Sequence, residues 1–116
     1  MSDAKPIITD DPLYCLLREG KIEEFNNQRD SGVTPNLRQC DFRGTDLRGM
    51  NASGLDLRDA YFRGADLRGL DLRETNLHGA SLAQAHISGV YFPDEINPQE
   101  IMMSVQYGTR LRYQTA

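Results

Sequence analysis

Residues 65–79 read ADLRG-LDLRE-TNLHG, three successive units of five residues that share one pattern. The central residue of each unit, Leu67, Leu72 or Leu77, is apolar, and an acidic or amide residue precedes it. A period of five fits neither the helical period of about 3.6 residues nor the simple alternation of an ordinary strand. The stretch therefore predicts a short extended piece followed by a corner in every unit.

The same period continues in both directions over residues 35–94, which makes twelve units. Eleven of the twelve central residues are large and apolar, the exception being Ala52. In seven units a glycine stands two residues after the centre, which suits a turn that requires positive φ. Side chains alternate in extended backbone, so each centre and the uncharged residue two before it should point into a common interior.

Units such as Ala65–Asp66–Leu67–Arg68–Gly69 and Thr75–Asn76–Leu77 resemble the repeat of the pentapeptide-repeat family, usually written A-(D/N)-L-x-x. The resemblance covers residues 35–94 and implies a mainly β fold, a right-handed quadrilateral β-helix (a pentapeptide-repeat solenoid). With the family's four units per coil, the segment makes about three coils. We call residues 35–54 coil 1, residues 55–74 coil 2 and residues 75–94 coil 3.

Four units per coil place every twentieth residue on the same face of the solenoid. The predicted core stacks are Leu37, Leu57 and Leu77 on the first face; Phe42, Phe62 and Leu82 on the second; Leu47, Leu67 and Ile87 on the third; and Ala52, Leu72 and Phe92 on the fourth. An interior of this kind is filled by side chains and leaves no room for a ligand.

Arginine commonly follows the centre and aspartate commonly precedes it, so both should point outward. On the third face the diagonal pair Arg48 and Asp66 should relieve repulsion between like charges stacked about 4.8 Å apart. A solvated, solubilising face is the simpler interpretation, and a recognition surface is the alternative. The candidate interaction surface consists of Arg43, Arg48, Arg63, Arg68, Asp46, Asp66, Tyr61 and Tyr91.

The sequences before and after the repeat predict helical caps at the two ends of the stacked coils. Residues 1–10 are expected to be disordered, residues 11–34 to form a helical hairpin that caps coil 1, and residues 95–116 to form a capping helix and tail. Asp11–Pro12 and Asn97–Pro98–Gln99–Glu100 have the character of helix starts, the latter of a capping box. The apolar stripe Ile101, Met102 and Val105 either covers coil 3 or meets the same stripe of a second chain.

Composition and motifs exclude several functional classes. Thirteen Lys and Arg against seventeen Asp and Glu give a net charge of −4, which argues against a nucleic-acid-binding protein. No apolar run approaches the ~18 residues of a membrane span. Two cysteines without metal spacing favour a reducing, cytoplasmic location. His78 and His86 fall on different faces without a third ligand, and no catalytic motif appears, so we expect no enzyme, metal or cofactor.

The predicted function is therefore a non-catalytic module for protein–protein interaction, or a structural or regulatory unit, with an unknown partner. The family resemblance implies an alternative, since acidic pentapeptide rods mimic DNA, bind gyrase and give fluoroquinolone resistance. Residues 35–94 carry seven arginines against eight acids, which is too balanced for a strongly anionic surface. We expect a monomer, or a homodimer formed through the C-terminal helix.

Overall fold

The computed structural model describes residues 5–114, in which the only helices are three α-helices. They are α1 (Pro12–Arg18), α2 (Ile22–Asp30) and α3 (Pro98–Tyr107). Among these described residues no strand is longer than an isolated β-bridge. A fold rich in regular β-strands, as the sequence predicted, is thus not observed, because each extended piece is interrupted by the next turn before a second bridge forms.

The repeat segment returns to itself every twenty residues. Six parallel bridges in the described chain join residues twenty positions apart, among them Asp46 with Asp66 and Asp66 with His86. Backbone bonds follow the same register: the Phe42 N–H donates to the Tyr61 oxygen at 2.8 Å, and the Tyr61 N–H donates to the Cys40 oxygen at 3.0 Å. Twenty residues are four units, so each coil of four units lies directly against the next.

Ten of the twelve units turn through a residue in the left-handed region. Five units lack glycine at the turn position, and in three of them Gln39, Asp59 and Gln84 still adopt φ of 62°, 61° and 55°. Glu74 and Asp94, the turn residues of the other two, do not have positive φ. At Gly79, whose φ is 81°, a Cβ atom would stand 2.0 Å from the Asp59 carboxylate. At Gln39, Asp59 and Gln84 the corner geometry therefore overrides the residue type, and glycine is the residue that adopts it without strain.

The interior of the coils is closed by the unit centres and by the small residues beside them. Leu37, Leu57 and Leu77 are at most 1% exposed, and the rings of Phe42 and Phe62 stack with centroids 5.4 Å apart. In coil 3 the packing is looser, because the centres Ile87 and Phe92 and the neighbouring Val90 are only partly buried. The core side chains are thus buried throughout coils 1 and 2, whereas some of those in coil 3 are partly exposed.

The N-terminal hairpin closes coil 1 with side chains. Leu13, Tyr14, Leu17 and Phe25 of α1 and α2 are buried in the core. The Tyr14 hydroxyl donates to the Asp41 backbone oxygen at 2.6 Å. Arg18 donates to the Arg43 oxygen at 3.0 Å, and Asn26 donates to the Gly49 oxygen at 3.0 Å. The Asp41 and Arg43 oxygens correspond to Tyr61 and Arg63 oxygens that accept from the preceding coil, so at these positions the hairpin replaces a missing coil.

The segment before α1 differs from the prediction of disorder. Residues 5–10 are described, and Ile7 forms a parallel bridge with Cys40. The Ile7 N–H donates to the Gln39 oxygen at 2.8 Å, and the Asp41 N–H donates to the Ile7 oxygen at 2.9 Å. Backbone groups on the outer edge of coil 1, which have no neighbouring coil to pair with, thus hold the segment in place. The rest of the predicted disordered stretch, residues 1–4, lies outside the described residues.

The C-terminal segment closes coil 3 with backbone and side-chain acceptors. The Asn97 side chain accepts from the Gln99 N–H at 2.8 Å, and α3 ends at Gly108 with φ of 74°. The Val105 oxygen accepts from the Gln84 N–H, and the Ser104 hydroxyl accepts from the Leu82 N–H, both at 2.8 Å. Coil 3 thereby obtains the partners that a fourth coil would have supplied.

Two details of this segment depart from the sequence-based expectation. Glu100, placed in a capping box by the sequence, instead pairs with Arg112 at 2.7 Å. The tail after α3, which had no predicted structure, runs back antiparallel to coil 3 and joins Ser81 at Arg110. Within the described residues, no helix has the length and apolar character needed to cross a membrane.

We predict that Leu67→Arg abolishes cooperative unfolding, because Leu67 is 1% exposed and an unpaired charge cannot be solvated there. Leu67→Met conserves volume and should cost less than about 1.5 kcal/mol of the free energy of unfolding. Thermal unfolding followed by circular dichroism measures both. A native-like melt of Leu67→Arg would show that the third-face stack is not the core.

Candidate interaction surface

The outward face of the repeat is built from a fork between residues two apart. In the pair Asp46 and Arg48, one carboxylate oxygen accepts from Nε at 2.9 Å and the other accepts from a terminal guanidinium nitrogen at 2.7 Å. The first oxygen also accepts from the Arg48 backbone N–H at 3.2 Å. The same arrangement recurs in Asp41–Arg43, Asp56–Arg58, Asp66–Arg68 and Asp71–Arg73. Each guanidinium is thereby held in one orientation by its own unit.

On the third face these forks join into a network. Arg48 reaches across to Asp66 at 3.3 Å while Arg68 holds the same carboxylate at 2.7 Å, which is the diagonal contact that the sequence predicted. The hydrogen bond from Arg68, with the positive charge of Arg48 nearby, holds the pKa of Asp66 well below its usual range. Positive and negative groups on this face are therefore mutually compensated.

Asp41 differs from the other acids because it is buried, with 5% of the residue exposed. The hydrogen bond from the Arg43 guanidinium lowers its pKa, against the raising effect of burial. The neighbouring Cys40 is fully buried, and burial raises the pKa of its thiol to about 11. At neutral pH Cys40 is therefore a protonated core residue, as its register predicts, and not a nucleophile.

The structure divides the predicted interaction surface among three faces. Arg43, Tyr61 and Arg63 lie on the second face; Asp46, Arg48, Asp66 and Arg68 lie on the third; Tyr91 lies on the fourth, where Arg73 stands 5.1 Å from the centre of its ring. Each step of five residues rotates the chain by one face, so residues that look adjacent in sequence do not share a surface. The eight residues do not make a single site.

The predicted stripe on the C-terminal helix is also divided. Ile101 is buried and Val105 is partly buried against coil 3, but Met102 is 51% exposed. The side of α3 that meets the coil instead includes Ser104, which is fully buried. Residues 101, 104 and 105 follow the helical spacing of one face, whereas residue 102 lies about 100° away from residue 101. Including Met102 in the covering face was therefore wrong.

A groove forms on the second face where the tail returns, and the sequence did not predict it. The Arg110 guanidinium donates to the Tyr61 hydroxyl at 2.7 Å and to the Gly79 oxygen at 2.9 Å. We call this feature, about 310 Å³ in volume, the second-face groove; it is lined by Arg43, Tyr61, Arg63, Ser81, Tyr107 and Arg110, among others. Arg110 and Tyr107 carry no sequence signal of their own, because only the path of the tail brings them beside Tyr61.

Side chains that could bind a metal do not cluster in the part of the chain that the structure describes. No group of three His, Cys, Asp or Glu residues with metal-binding geometry occurs within residues 5–114. His78 lies beside Tyr113, with ring centroids 5.9 Å apart, and the backbone of His86 forms a parallel bridge with that of Asp66. The chemistry that the surface offers is thus that of guanidinium donors, carboxylate acceptors and tyrosine rings.

Comparison with known proteins gives one match. A family model described as pentapeptide repeats matches in eight copies, over residues 36–69 and 56–92. Neither the curated proteins nor the solved structures contain a significant match to the chain. The matched ranges coincide with the segment in which the twenty-residue register is observed.

The Asp41 fork predicts an acid-dependent loss of stability. Because the folded-state pKa of Asp41 is lowered, the unfolded chain takes up the proton first as the pH falls. The contribution of this carboxylate is complete above about pH 4 and is lost on acidification toward the folded-state pKa. We therefore expect the unfolding midpoint of Asp41→Asn to fall less steeply between about pH 5 and about pH 2 than that of the wild type.

Asp71→Asn should likewise make the fall of the unfolding midpoint with acidification less steep, since the hydrogen bond from Arg73 lowers the pKa of Asp71 to about 2. Asp94→Asn is the matched control, because Asp94 is exposed and belongs to no ion pair of the described chain. Urea unfolding at each pH measures the slopes. Equal slopes for Asp41→Asn and the wild type would contradict a stabilising role for the buried fork.

Proposed function

The chain belongs to the pentapeptide-repeat family, a family of non-catalytic repeat proteins, and on that premise we propose that it binds another protein through its lateral faces. The partner can be a structural or a regulatory target, and the repeat supplies the binding surface in either case. We propose a cytoplasmic location, which the free thiols of Cys15 and Cys40 support.

We infer that the architecture is the right-handed quadrilateral β-helix of three coils. The twenty-residue separation of the parallel bridges supports four units per coil. The short extended pieces between turns are consistent with strands that contribute one bridge each. Such an arrangement presents flat outer faces, because the Arg and Asp residues of successive coils stand above one another at about 4.8 Å.

The observation that carries the proposed function is the fixed orientation of the outward guanidinium groups. Arg48 and Arg68 each have 51% of the side chain exposed. Two hydrogen bonds from each guanidinium to the aspartate of the same unit nevertheless hold the side chain in one orientation. A long side chain that is already ordered loses little conformational entropy when a partner binds. Exposed ion pairs contribute little to the free energy of unfolding. The repeated ordering of these arginines is therefore better explained by recognition of a partner than by stabilisation of the fold.

The filled interior supports a non-catalytic role. The lumen of the coils is occupied by buried side chains, including Phe42, Phe62 and Leu67, each at most 1% exposed. Ligand-binding sites are usually concave and largely apolar, with a few convergent polar groups. The coils instead offer flat outer walls, which suit contact with another macromolecule.

DNA mimicry of the gyrase-binding type is the alternative function, and the ion pairs disfavour it. A DNA mimic needs a continuous anionic surface, whereas on the third face both Asp46 and Asp66 are neutralised by Arg48 and Arg68. The three coils span only about 10 Å from the first to the third, whereas one DNA turn is about 34 Å. Length and the balance of charge therefore both disfavour the alternative.

We propose that α3 serves as a cap and that the protein is a monomer. Ile101 is buried and Ser104 accepts from the ladder N–H of Leu82, so the inner side of α3 is used within one chain. A homodimer through this helix would have to use Met102 and Met103 on its outer side, which are 51% and 42% exposed.

The two sides of α3 can be tested separately. Ser104→Ala should lower the free energy of unfolding by about 1–3 kcal/mol, because the buried Leu82 N–H loses its acceptor. Met102→Glu should leave the melt unchanged, and light scattering should give 13.1 kDa for both the wild type and this variant. A wild-type mass of twice that value, reduced to the monomer by Met102→Glu, would establish the dimer instead.

Affinity capture from an extract of the source cell, with the full chain as bait, tests the proposed function. We expect one enriched protein that is lost with Arg63→Glu or with Arg68→Glu and retained with Arg38→Glu, an exposed residue at the same repeat position on the first face. No enrichment over uncoupled resin would contradict the proposal. Inhibition of gyrase supercoiling by stoichiometric protein would favour DNA mimicry.

A further inference from the structure

The second-face groove brings three arginines of different segments to one surface. Arg43 belongs to coil 1, Arg63 to coil 2, and Arg110 to the tail that lies against coil 3. Side chains of coil 3, Ser81 among them, form part of its lining. A groove that crosses three coils is about 10 Å long, since neighbouring coils are about 4.8 Å apart. That length exceeds a single carboxylate or phosphate and corresponds to about three residues of an extended peptide.

The positive charges of the three arginines in this groove are neutralised by nearby carboxylates to different degrees. Arg43 is paired with Asp41 at 2.8 Å. Arg110 donates to two uncharged acceptors, and its nearest carboxylate, that of Asp59, is 3.9 Å away. Within residues 5–114, Arg63 forms no ion pair, and its guanidinium donates one hydrogen bond, to the Gln84 side-chain oxygen at 3.5 Å. The groove thus retains free guanidinium donors on a chain whose net charge is −4.

Two tyrosines give the groove aromatic walls. Arg110 lies over the Tyr61 ring, with 5.2 Å between its guanidinium carbon and the ring centre. Tyr107, the last residue of α3, is 76% exposed and also lines the groove. Arginine and tyrosine are among the residues enriched where proteins bind one another, because arginine supplies directed donors and tyrosine a large aromatic surface.

We propose that the second-face groove binds an acidic segment of a partner protein, with carboxylates accepting from Arg63 and Arg110 and an adjacent apolar side chain packing on Tyr107. This inference rests on the proposed function and adds the location and the chemistry of the bound segment. A guanidinium with free donors in one plane matches a carboxylate in a bidentate geometry. The overall negative charge and the acids of the neighbouring third face oppose a long polyanion, so a short peptide with few charges fits better than nucleic acid.

Titration of the isotopically labelled full chain, followed by NMR, tests this inference without knowledge of the natural partner. The probe is a capped synthetic peptide of alternating glutamate and phenylalanine, and its counterpart has lysine in place of glutamate. We expect the acidic peptide to shift the backbone amides of Ser81, Ala83 and Gly108 and the side-chain Nε signals of Arg63 and Arg110. The basic peptide should shift none of them.

Arg63→Glu should weaken binding of the acidic peptide about fivefold, the upper value expected when one exposed ion pair is lost. Arg38→Glu makes the same charge change outside the groove and should leave the affinity within twofold, which controls for net charge. Because the Arg63 side chain makes no ion pair in the described structure, its replacement should not alter the melt. Equal weakening by both variants would overturn the assignment to the groove.

Inorganic phosphate is the second probe. If phosphate saturates the same signals as tightly as the peptide, the groove binds a small anion and the assignment to a peptide is wrong. If cell-extract capture recovers a partner that Arg63→Glu retains and Arg68→Glu loses, the proposed function stands while the groove is not its site. If no partner is captured but the acidic peptide binds as expected, the groove stands and the proposed function needs revision.

Discussion

The structure depends on a backbone that must turn at every fifth residue. The left-handed conformation at the turn, adopted even by Gln39 and Asp59, brings the chain back to the same face after twenty residues. Only then can the centres of successive coils stack and exclude water, as Leu47 and Leu67 do. The hydrophobic interior is a consequence of the turn, because without it apolar residues five apart would not share one side of the chain.

A stack of coils has two ends with unpaired ladder groups, and this chain closes them by different means. At coil 1 the side chains of Tyr14, Arg18 and Asn26 donate to backbone oxygens. At coil 3 a helix and a returning tail offer a hydroxyl and backbone oxygens to N–H donors. The difference follows from polarity, since the ladder groups described at coil 1 are mainly acceptors and those at coil 3 are mainly donors. Buried backbone groups are costly when unpaired, so these covers are part of the fold.

The outer surface combines a repeated element with a unique one. The Asp–Arg fork arises in every unit that has the two residues, and on the third face it produces compensated charge. The second-face groove is not a product of the repeat, because Arg110 and Tyr107 come from outside it. Specific recognition needs a feature that differs from its surroundings, and the groove joins Arg63, which forms no ion pair within residues 5–114, to an arginine and a tyrosine from outside the repeat.

The sequence by itself determined the period, the residues that face the interior and the forks that face outward, because these depend on neighbours within one unit or on a constant step of twenty. The diagonal contact of Arg48 with Asp66 was predictable for the same reason. The tertiary structure alone decided that Ile7 pairs with coil 1, that Met102 points away from coil 3 and that Arg110 meets Tyr61. Those contacts join the repeat to segments that do not share its period. Their geometry depends on how the ends of the chain pair with the backbone N–H and C=O groups left free on the outer coils, and no local sequence pattern specifies that pairing.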